Sequence, residues 1–199
     1  MARIVAIDHV TLDGVMQGPG KLDEDTRDGF DRGGWAAGND PELQRISGER
    51  IGSTWSLLAG RVTYQHFAKV WPNAPKPNPF TDALNRVEKF VASTTLTEPL
   101  PWENSTLLKG NVPEAVAALK ERLEGNLVIF GSGVLVQSLM RHCLIDEFVL
   151  QIHPIVLGKG RRLFDNGVPD TTLNLVETKQ AGSGVVVAIY QQDAKARAG

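Results

Sequence analysis

The chain has 199 residues, of which 42% are apolar and 22% are charged, and its formal net charge is −2. This length is sufficient for one domain with an extensive buried core. The near-neutral, mixed charge excludes the broad positive surface that binding to nucleic acid requires. The single cysteine, Cys143, excludes an intramolecular disulfide and a multi-cysteine zinc site of the kind that nucleobase deaminases use.

The composition also indicates the extent of the domain and its compartment. We expect one domain over residues 1–192 and a flexible tail over residues 193–199, where the composition becomes polar enough to disfavour folding. No segment reaches the roughly 18 consecutive apolar residues that cross a bilayer, and the first residues do not resemble a signal peptide. We therefore expect a cytoplasmic protein without a membrane partner.

Strand and helix patterns alternate along the first part of the chain. Residues 3–8 are typical of a short buried strand, and a long glycine-rich loop follows. Asp40 before Pro41 is typical of a helix N-cap with proline at the first helical position. Residues 55–59 predict a second strand, and Gly60 begins a further short helix.

The middle of the chain contains a proline-rich excursion and two short strands. Residues 71–80 hold four prolines and predict a surface segment that is a candidate lid. Residues 89–93 and 106–108 predict short strands, and residues 113–123 have the spacing of an amphipathic helix. These elements continue the alternation of strands and helices.

The C-terminal part begins with the clearest unit and ends in strands alone. Residues 127–130 form a continuous apolar strand that runs through a glycine-rich turn into a helix. A long strand over residues 147–155 and an alternating antiparallel pair, over residues 173–179 and 185–191, complete the chain. The order predicts an α/β fold, in which a mostly parallel mixed sheet has helices on both faces and an antiparallel C-terminal edge.

Three loops after predicted strands carry groups that suit phosphate binding, because ligands of open parallel sheets bind beyond the carboxyl ends of the strands. The residues are Gly131, Ser132 and Gly133 in one loop, Gly60, Arg61 and Thr63 in the second, and Ser93 and Thr94 in the third. Each loop alone is also consistent with an ordinary turn, since the glycines lack the G-x-G-x-x-G spacing. Together they match a dinucleotide with an additional 2′-phosphate.

A pocket that accepts hydride also needs a proton source or a hydrogen-bonding carboxylate. The candidates are Asp13, Asp28 and Asp31, although Asp13 before a glycine is also typical of a turn former. Trp35 is a candidate for stacking on a planar ring, and simple packing is the alternative.

The histidines and the basic cluster near the C-terminal part of the chain are weaker candidates for a functional site. His9 and His66 are too isolated in the sequence for a metal site, and His153 has the position of a packed histidine in a strand. The basic cluster at residues 159–162 fits either a substrate phosphate or a solvated turn. We therefore predict no metal site.

Five short motifs occur in order along the chain: residues 11–15 (TLDGV), 57–64 (LLAGRVTY), 91–95 (VASTT), 130–133 (FGSG) and 144–164 (LIDE followed by HPIVLGKGRRLF). Together they resemble the dihydrofolate reductase-like family, in particular the stand-alone proteins similar to the reductase domain of the bacterial bifunctional riboflavin-biosynthesis deaminase-reductase. The resemblance extends from residue 3 to residue 191. It implies a mixed sheet flanked by helices, NADPH as the hydride donor, and a homodimer.

The resemblance also implies roles for the loop residues. By position, Arg61 and Thr63 would hold the 2′-phosphate side of the adenosine together with Ser93 and Thr94. Gly131, Ser132 and Gly133 would cradle the pyrophosphate, and the nicotinamide would lie near Ile7, Val15 and the turn at Asp13. Family members often have two glycines where this chain has Gly131 and Ser132, so we expect Ser132 to tighten the loop.

We therefore predict an NADPH-dependent reductase of a small heterocycle that resembles a pterin, a pyrimidine or a flavin precursor. The tryptophan followed by a buried carboxylate that is typical of true folate reductases is not evident, which disfavours folate. A riboflavin-precursor reductase in the strict sense would need a basic patch for a phosphoribosyl group. A non-catalytic nucleotide- or flavin-binding dimer and a purely structural dimer are further alternatives.

Overall fold

The computed structural model describes residues 1–38, 40–75, 77–165 and 167–192, so the predicted tail lies outside the described residues. The described residues form one eight-stranded sheet in the order β4-β3-β2-β5-β1-β6-β8-β7. The strands are β1 (Arg3–Thr11), β2 (Trp55–Gly60), β3 (Lys89–Ala92), β4 (Ser105–Leu108), β5 (Asn126–Phe130), β6 (Glu147–His153), β7 (Leu173–Gln180) and β8 (Val186–Gln192). The first six in this spatial order are parallel, whereas β8 pairs antiparallel with both β6 and β7. The predicted sheet is confirmed.

The helices are α1 (Pro41–Ile51), α2 (Arg61–Val70), α3 (Pro79–Arg86), α4 (Val112–Arg122) and α5 (Gly133–Met140). The side chains of Asp40, Asn78 and Asn111 accept backbone N–H groups at the starts of α1, α3 and α4. Each of these helices also has proline in its first two positions, where the missing N–H is not needed. None of the helices in the described ranges is long and apolar enough to cross a membrane.

Helices cover both faces of the sheet, as predicted. Along β1, Ile4, Ala6 and Val10 contribute to the core beneath α4 and α5. Val5 and Ile7, which point to the other face, pack in the core beneath α1. A third apolar cluster lies beneath α2 and α3. The sheet therefore separates two packed layers.

β1 is three residues longer than the sequence analysis predicted. It continues through Asp8 and His9 to Thr11 because β6 pairs with it in parallel over this whole length. The register places His9 opposite Gln151 and Thr11 opposite His153. Polar side chains near the ends of both strands are thereby brought to the carboxyl edge of the sheet.

Candidate active site

The three candidate loops lie side by side at one edge of the sheet, because the strands that precede them are neighbours in the order β3-β2-β5. Ser132 links two of the loops. Its hydroxyl accepts the N–H of Gly60 at 3.0 Å and donates to Oγ1 of Thr63 at 2.9 Å. The expected tightening of the glycine-rich turn therefore takes the form of a bridge to the start of α2. The Ser132 and Thr63 hydroxyls bind each other in this arrangement.

The backbone of the glycine-rich turn is sharply bent. Gly131 and Ser132 both have left-handed conformations, with φ values of 60° and 58°. A Cβ on Gly133 would lie 2.5 Å from the Sδ atom of Met16, so a larger residue there would require the Met16 side chain to shift. Within the described residues, Ser132 makes no side-chain cap to α5, so the N–H groups of the first turn of α5 are candidates to bind an anion.

The two other loops present one cation and several hydroxyls. Arg61 is exposed at the start of α2, and its guanidinium lies 3.3 Å from Oε1 of Gln65. The hydroxyl of Ser93 accepts the N–H groups of Thr95 and Leu96 and so closes its own turn. Thr94 is exposed beside it. Contacts of these residues with a phosphate remain a prediction.

The residues expected near the nicotinamide are buried. Ile7 packs beneath α1 beside its β5 partner Phe130. Val15 is fully buried, and its side chain lies under Gly160. Contact of Ile7 or Val15 with a nicotinamide ring also remains a prediction, and for Val15 it requires a shift of the loop after β1.

Asp13 fastens two loops together. Its carboxylate accepts the hydroxyl of Thr11 at 2.6 Å and the N–H groups of Leu157 and Gly158, and it lies 3.6 Å from a guanidinium nitrogen of Arg162. The hydrogen bond from Thr11, followed by those from the two backbone groups, lowers the pKa of Asp13 to about 2. A carboxylate that stays ionised is suited to holding the two loops together and poorly suited to donating a proton. The catalytic role of Asp13 is still only a prediction.

Asp28 and Asp31 are exposed. Asp28 pairs with Arg161 at 2.8 Å, and the ammonium group of Lys159 donates to the carbonyl of Gly29. The basic cluster of residues 159–162 is thus engaged with the loop after β1, which favours the turn interpretation over a phosphate site. Asp31 extends into solvent with a side chain that is 77% exposed, so its predicted catalytic role would require the loop to rearrange.

Asp8, which was not among the predicted site residues, is a buried carboxyl in the second half of β1. It accepts the N–H of Gly131, while its Oδ2 atom has no hydrogen-bond partner in the described part of the chain. Burial raises the pKa of Asp8 to about 8, against the opposite effect of the Gly131 hydrogen bond. A neutral carboxyl tolerates an anion at the adjacent loop. The available signal was an acidic residue in an otherwise apolar strand.

His9 and His153 meet across the two central strands. Nδ1 of His9 lies 2.9 Å from Nε2 of His153. Burial lowers the pKa of both rings, and the neighbouring His153 lowers that of His9 further, to about 4. Both rings are therefore neutral at pH 7. His9 was predicted to be isolated and His153 to be a packed histidine in a strand; their contact was missed because the predicted β1 ended before His9.

Trp35 lies against this pair. Its ring packs edge-on to His153 with 5.3 Å between ring centroids, and its indole N–H donates to the carbonyl of Gln17 at 2.8 Å. The structure thus places Trp35 near the end of the sheet, as the predicted role requires, and stacking on a substrate stays a prediction. No group of three or more metal-binding side chains occurs among the described residues.

An aromatic wall adjoins the glycine-rich turn on the α1 side. Phe130 lies at its centre, with ring centroids 6.3 Å from Trp55, 6.3 Å from Phe67 and 5.7 Å from Phe80. These rings come from β2, α2 and α3, so three elements converge on the last residue of β5. Such a wall suits a flat ring.

The sheet order and the strand-end loops define a dihydrofolate reductase-like fold. It is similar to a putative riboflavin biosynthesis protein from Shewanella sp. PV-4, with a TM-score of 0.67, 23% identity and coverage of 97% of this chain and 99% of that one. It is also similar to a pyrimidine reductase-like protein from Corynebacterium diphtheriae (TM-score 0.66, 12% identity, coverage 96% and 92%). Enterococcus faecalis dihydrofolate reductase complexed with NADP(H) matches with a TM-score of 0.57, 17% identity and 96% coverage of both chains.

The chain belongs to the family described as the RibD C-terminal domain, whose model matches residues 4–187. Two curated relatives come from Bacillus subtilis (strain 168). The uncharacterized protein YyaP is 28% identical over 193 residues, which is 94% of each chain. The uncharacterized protein YwjB is 32% identical over 130 residues, or 65% of this chain and 70% of YwjB. Family and fold together support a reductase-like role.

Proposed function

We propose that this protein is an NADPH-dependent reductase that transfers hydride to a small heterocycle resembling a pterin, a pyrimidine or a flavin precursor. The observation that carries the proposal is the convergence of three phosphate-compatible loops at the carboxyl ends of β2, β3 and β5. Beside them, the aromatic wall around Phe130 offers an apolar surface to a ring. A site with an anion-binding part next to a ring-binding part is what a dinucleotide cofactor requires.

The residues present fit NADPH. The left-handed backbone at Gly131 and Ser132 and the absence of a Cβ at Gly133 allow a pyrophosphate to approach the first turn of α5. Arg61 is exposed at the neighbouring loop, where its guanidinium can form two hydrogen bonds to a 2′-phosphate. The neutral form of Asp8 avoids repulsion beneath the turn. The family's use of reductase chemistry agrees with this set of groups.

When bound, NADPH would supply the hydride for reduction of a C=N or C=O carbon. The chain's own contribution is positional: Phe130 and its aromatic neighbours orient a flat acceptor and exclude water from it. Asp13 is ionised, so water would complete the protonation, or Asp31 after a rearrangement of the loop that carries it. Met16 would cover the turn at Gly133 until the cofactor displaces it.

The test is a fluorescence and thermal-shift titration with NADPH and NADH in parallel. At about 100 times its dissociation constant, a ligand stabilises the folded chain by ~2.7 kcal/mol. We expect tighter binding of NADPH than of NADH, and loss of that preference in Arg61→Ala. Lys69→Ala, also exposed and on α2, is the matched control and should retain the preference.

Two other outcomes would change the conclusion. Absence of binding by either nucleotide would contradict the reductase proposal. Binding of NADPH without oxidation by any pterin, pyrimidine or flavin acceptor would favour the non-catalytic binding module, because the ionised state of Asp13 leaves the proton source of the pocket unassigned.

A further inference from the structure

A polar cluster lies between α1 and the central strands, on the same face as the aromatic wall. It consists of His9, Gln151, His153, Ser47 and Trp35. The register of β1 and β6 sets Gln151 directly opposite His9 and places His153 two residues further along. Alternate residues of a strand share a face, so these three side chains lie side by side.

The position of His9 relates this cluster to the glycine-rich turn. Ile7 is paired with Phe130, the residue immediately before Gly131. His9 follows Ile7 by two residues on the same face, a rise of about 6.6 Å along the strand. His9 therefore lies near the level of the turn along the strand, on the α1 side of the sheet. His9 is partly exposed and His153 is buried.

Gln151 provides an independent indication of a ligand. The residue is 96% buried, and its amide nitrogen donates to the hydroxyl of Ser47 at 2.9 Å. Its Oε1 atom has no hydrogen-bond partner among the described residues. An unpaired buried carbonyl costs roughly 1–3 kcal/mol, so a group that donates a hydrogen bond to Oε1 would be favoured at this position.

The histidine pair provides the complementary group. Two neutral imidazole rings share one proton between Nδ1 of His9 and Nε2 of His153. Of the two remaining ring nitrogens, one then carries a proton and the other has a free lone pair. When His153 donates to His9, the Nε2 atom of His9 carries a proton and can donate. When His9 donates to His153, Nε2 of His9 can accept. The pair can thus match either polarity on a ligand.

We propose that His9, His153 and Gln151 form the polar end of the acceptor pocket and bind the hydrogen-bonding edge of a flat heterocycle in which a ring N–H lies beside a carbonyl group. Gln151 Oε1 accepts from the ring N–H, and His9 donates to the carbonyl. This assignment rests on the proposed reductase function and specifies its acceptor class. His9 and Gln151 are binding residues that set specificity, and Trp35 encloses the pair.

The experiment uses lumazine and 1,3-dimethyllumazine as fluorescent probes of nearly the same shape, because methylation removes both ring N–H groups of the pyrimidine half. The probes are titrated into the full chain saturated with NADPH. We expect lumazine to bind at least ten-fold more tightly than its dimethyl derivative. The preference should disappear in His9→Gln and in Gln151→Met, and should persist in His142→Gln, which changes an exposed histidine after α5.

A second measurement locates the probe and does not depend on activity. In nitrogen-15 spectra of the imidazole rings, lumazine should shift the signals of His9 and His153 and leave those of His66 and His142 unchanged. Equal binding of the two probes, no binding of either, or binding that leaves the His9 signals unmoved would overturn the proposal. If NADPH still binds in that case, the proposed function survives; if NADPH does not bind, the proposed function fails as well.

Discussion

Asp8 and His9 are adjacent in sequence, but their side chains lie on opposite faces of β1. Asp8 lies beneath the glycine-rich turn on the α5 side, and His9 lies on the α1 side next to His153. Both carry polar groups in a buried strand, and neither role can be inferred from composition alone. Their placement depends on which strand pairs with β1 and in which register, and that information is absent from the local sequence.

The first prediction concerns Asp8 and pH. Its pKa of about 8 in the folded chain exceeds the ordinary value near 4, so the folded state holds the proton more tightly. The free energy of unfolding therefore falls as the pH rises from about 4 to about 8, by at most about 1.4 kcal/mol per pH unit. Asp8→Asn lacks this titration and does not lose stability in this way. The Tm of the variant minus the Tm of wild type should therefore increase from pH 5 to pH 8.

Thermal unfolding followed by circular dichroism at four pH values measures this difference. Asp170→Asn changes an exposed carboxyl and should give a difference that does not vary with pH. A Tm difference for Asp8→Asn that stays constant across the range would show that Asp8 is ionised in the folded chain, contrary to this account.

The second prediction concerns the bridge formed by Ser132. Ser132→Ala removes the hydroxyl that joins Gly60 and Thr63 and should lower the free energy of unfolding by about 1–2 kcal/mol. Ser132→Gly removes the same hydroxyl but relieves the left-handed backbone, so it should be roughly 1 kcal/mol more stable than Ser132→Ala. Urea unfolding of the three proteins tests both differences, and equal stability of wild type and Ser132→Ala would contradict the bridge.

Among the elements, α3 shows where the sequence was misread. Residues 71–80 were predicted as a proline-rich surface segment, yet α3 begins at Pro79 within it. Asn78 caps the helix, and proline at its first position is favourable, so the same residue type that indicates a loop here begins a helix. The same pattern was recognised at Asp40 and Pro41, where no other prolines surrounded it.

The third prediction concerns Lys89, which joins α3 to the edge of the sheet. Its buried ammonium group donates to the carbonyls of Asn85, Val87 and Glu103, and it lies 4.6 Å from the ring centre of Trp102. Lys89→Met keeps the length of the side chain but leaves these carbonyls without their shared donor. We expect it to lower the free energy of unfolding by about 2 kcal/mol or more.

Chemical unfolding with Lys69→Met as the control measures this effect. Lys69 is exposed near the end of α2, so its substitution should change stability little. An equal, small effect of both substitutions would show that Lys89 does not hold α3 to β3 and β4.

For the whole molecule, the sequence sufficed to predict the class of fold and failed to place the polar end of the pocket. The parallel sheet could be predicted because apolar strands alternate with helices, and this pattern is repeated along the chain. The candidate cofactor residues Gly60, Ser93 and Gly131 were found because each lies at the end of a strand or directly after it. The histidine pair and Gln151 depend on residues 142 to 144 positions apart, and single-chain patterns carry no trace of such contacts.

The fourth prediction is that the protein is a homodimer. β7 forms one edge of the sheet, and it and its neighbour β8 carry exposed apolar side chains, including Leu175 and Val176 on β7 and Val186 on β8. Exposed apolar groups on an edge strand favour association with a second chain. Light scattering at micromolar concentration should give twice the mass of 21.7 kDa, and Val176→Asp should shift it toward the monomer. A monomeric mass for the wild type would contradict the prediction.

Amide hydrogen exchange with and without saturating NADPH would show where the cofactor binds. We expect exchange to slow at residues 60–63, 93–96 and 131–136, because the ligand would bind the N–H groups and cover the loops at this edge of the sheet. Protection confined to other segments, or no protection at a concentration that saturates binding, would contradict the account.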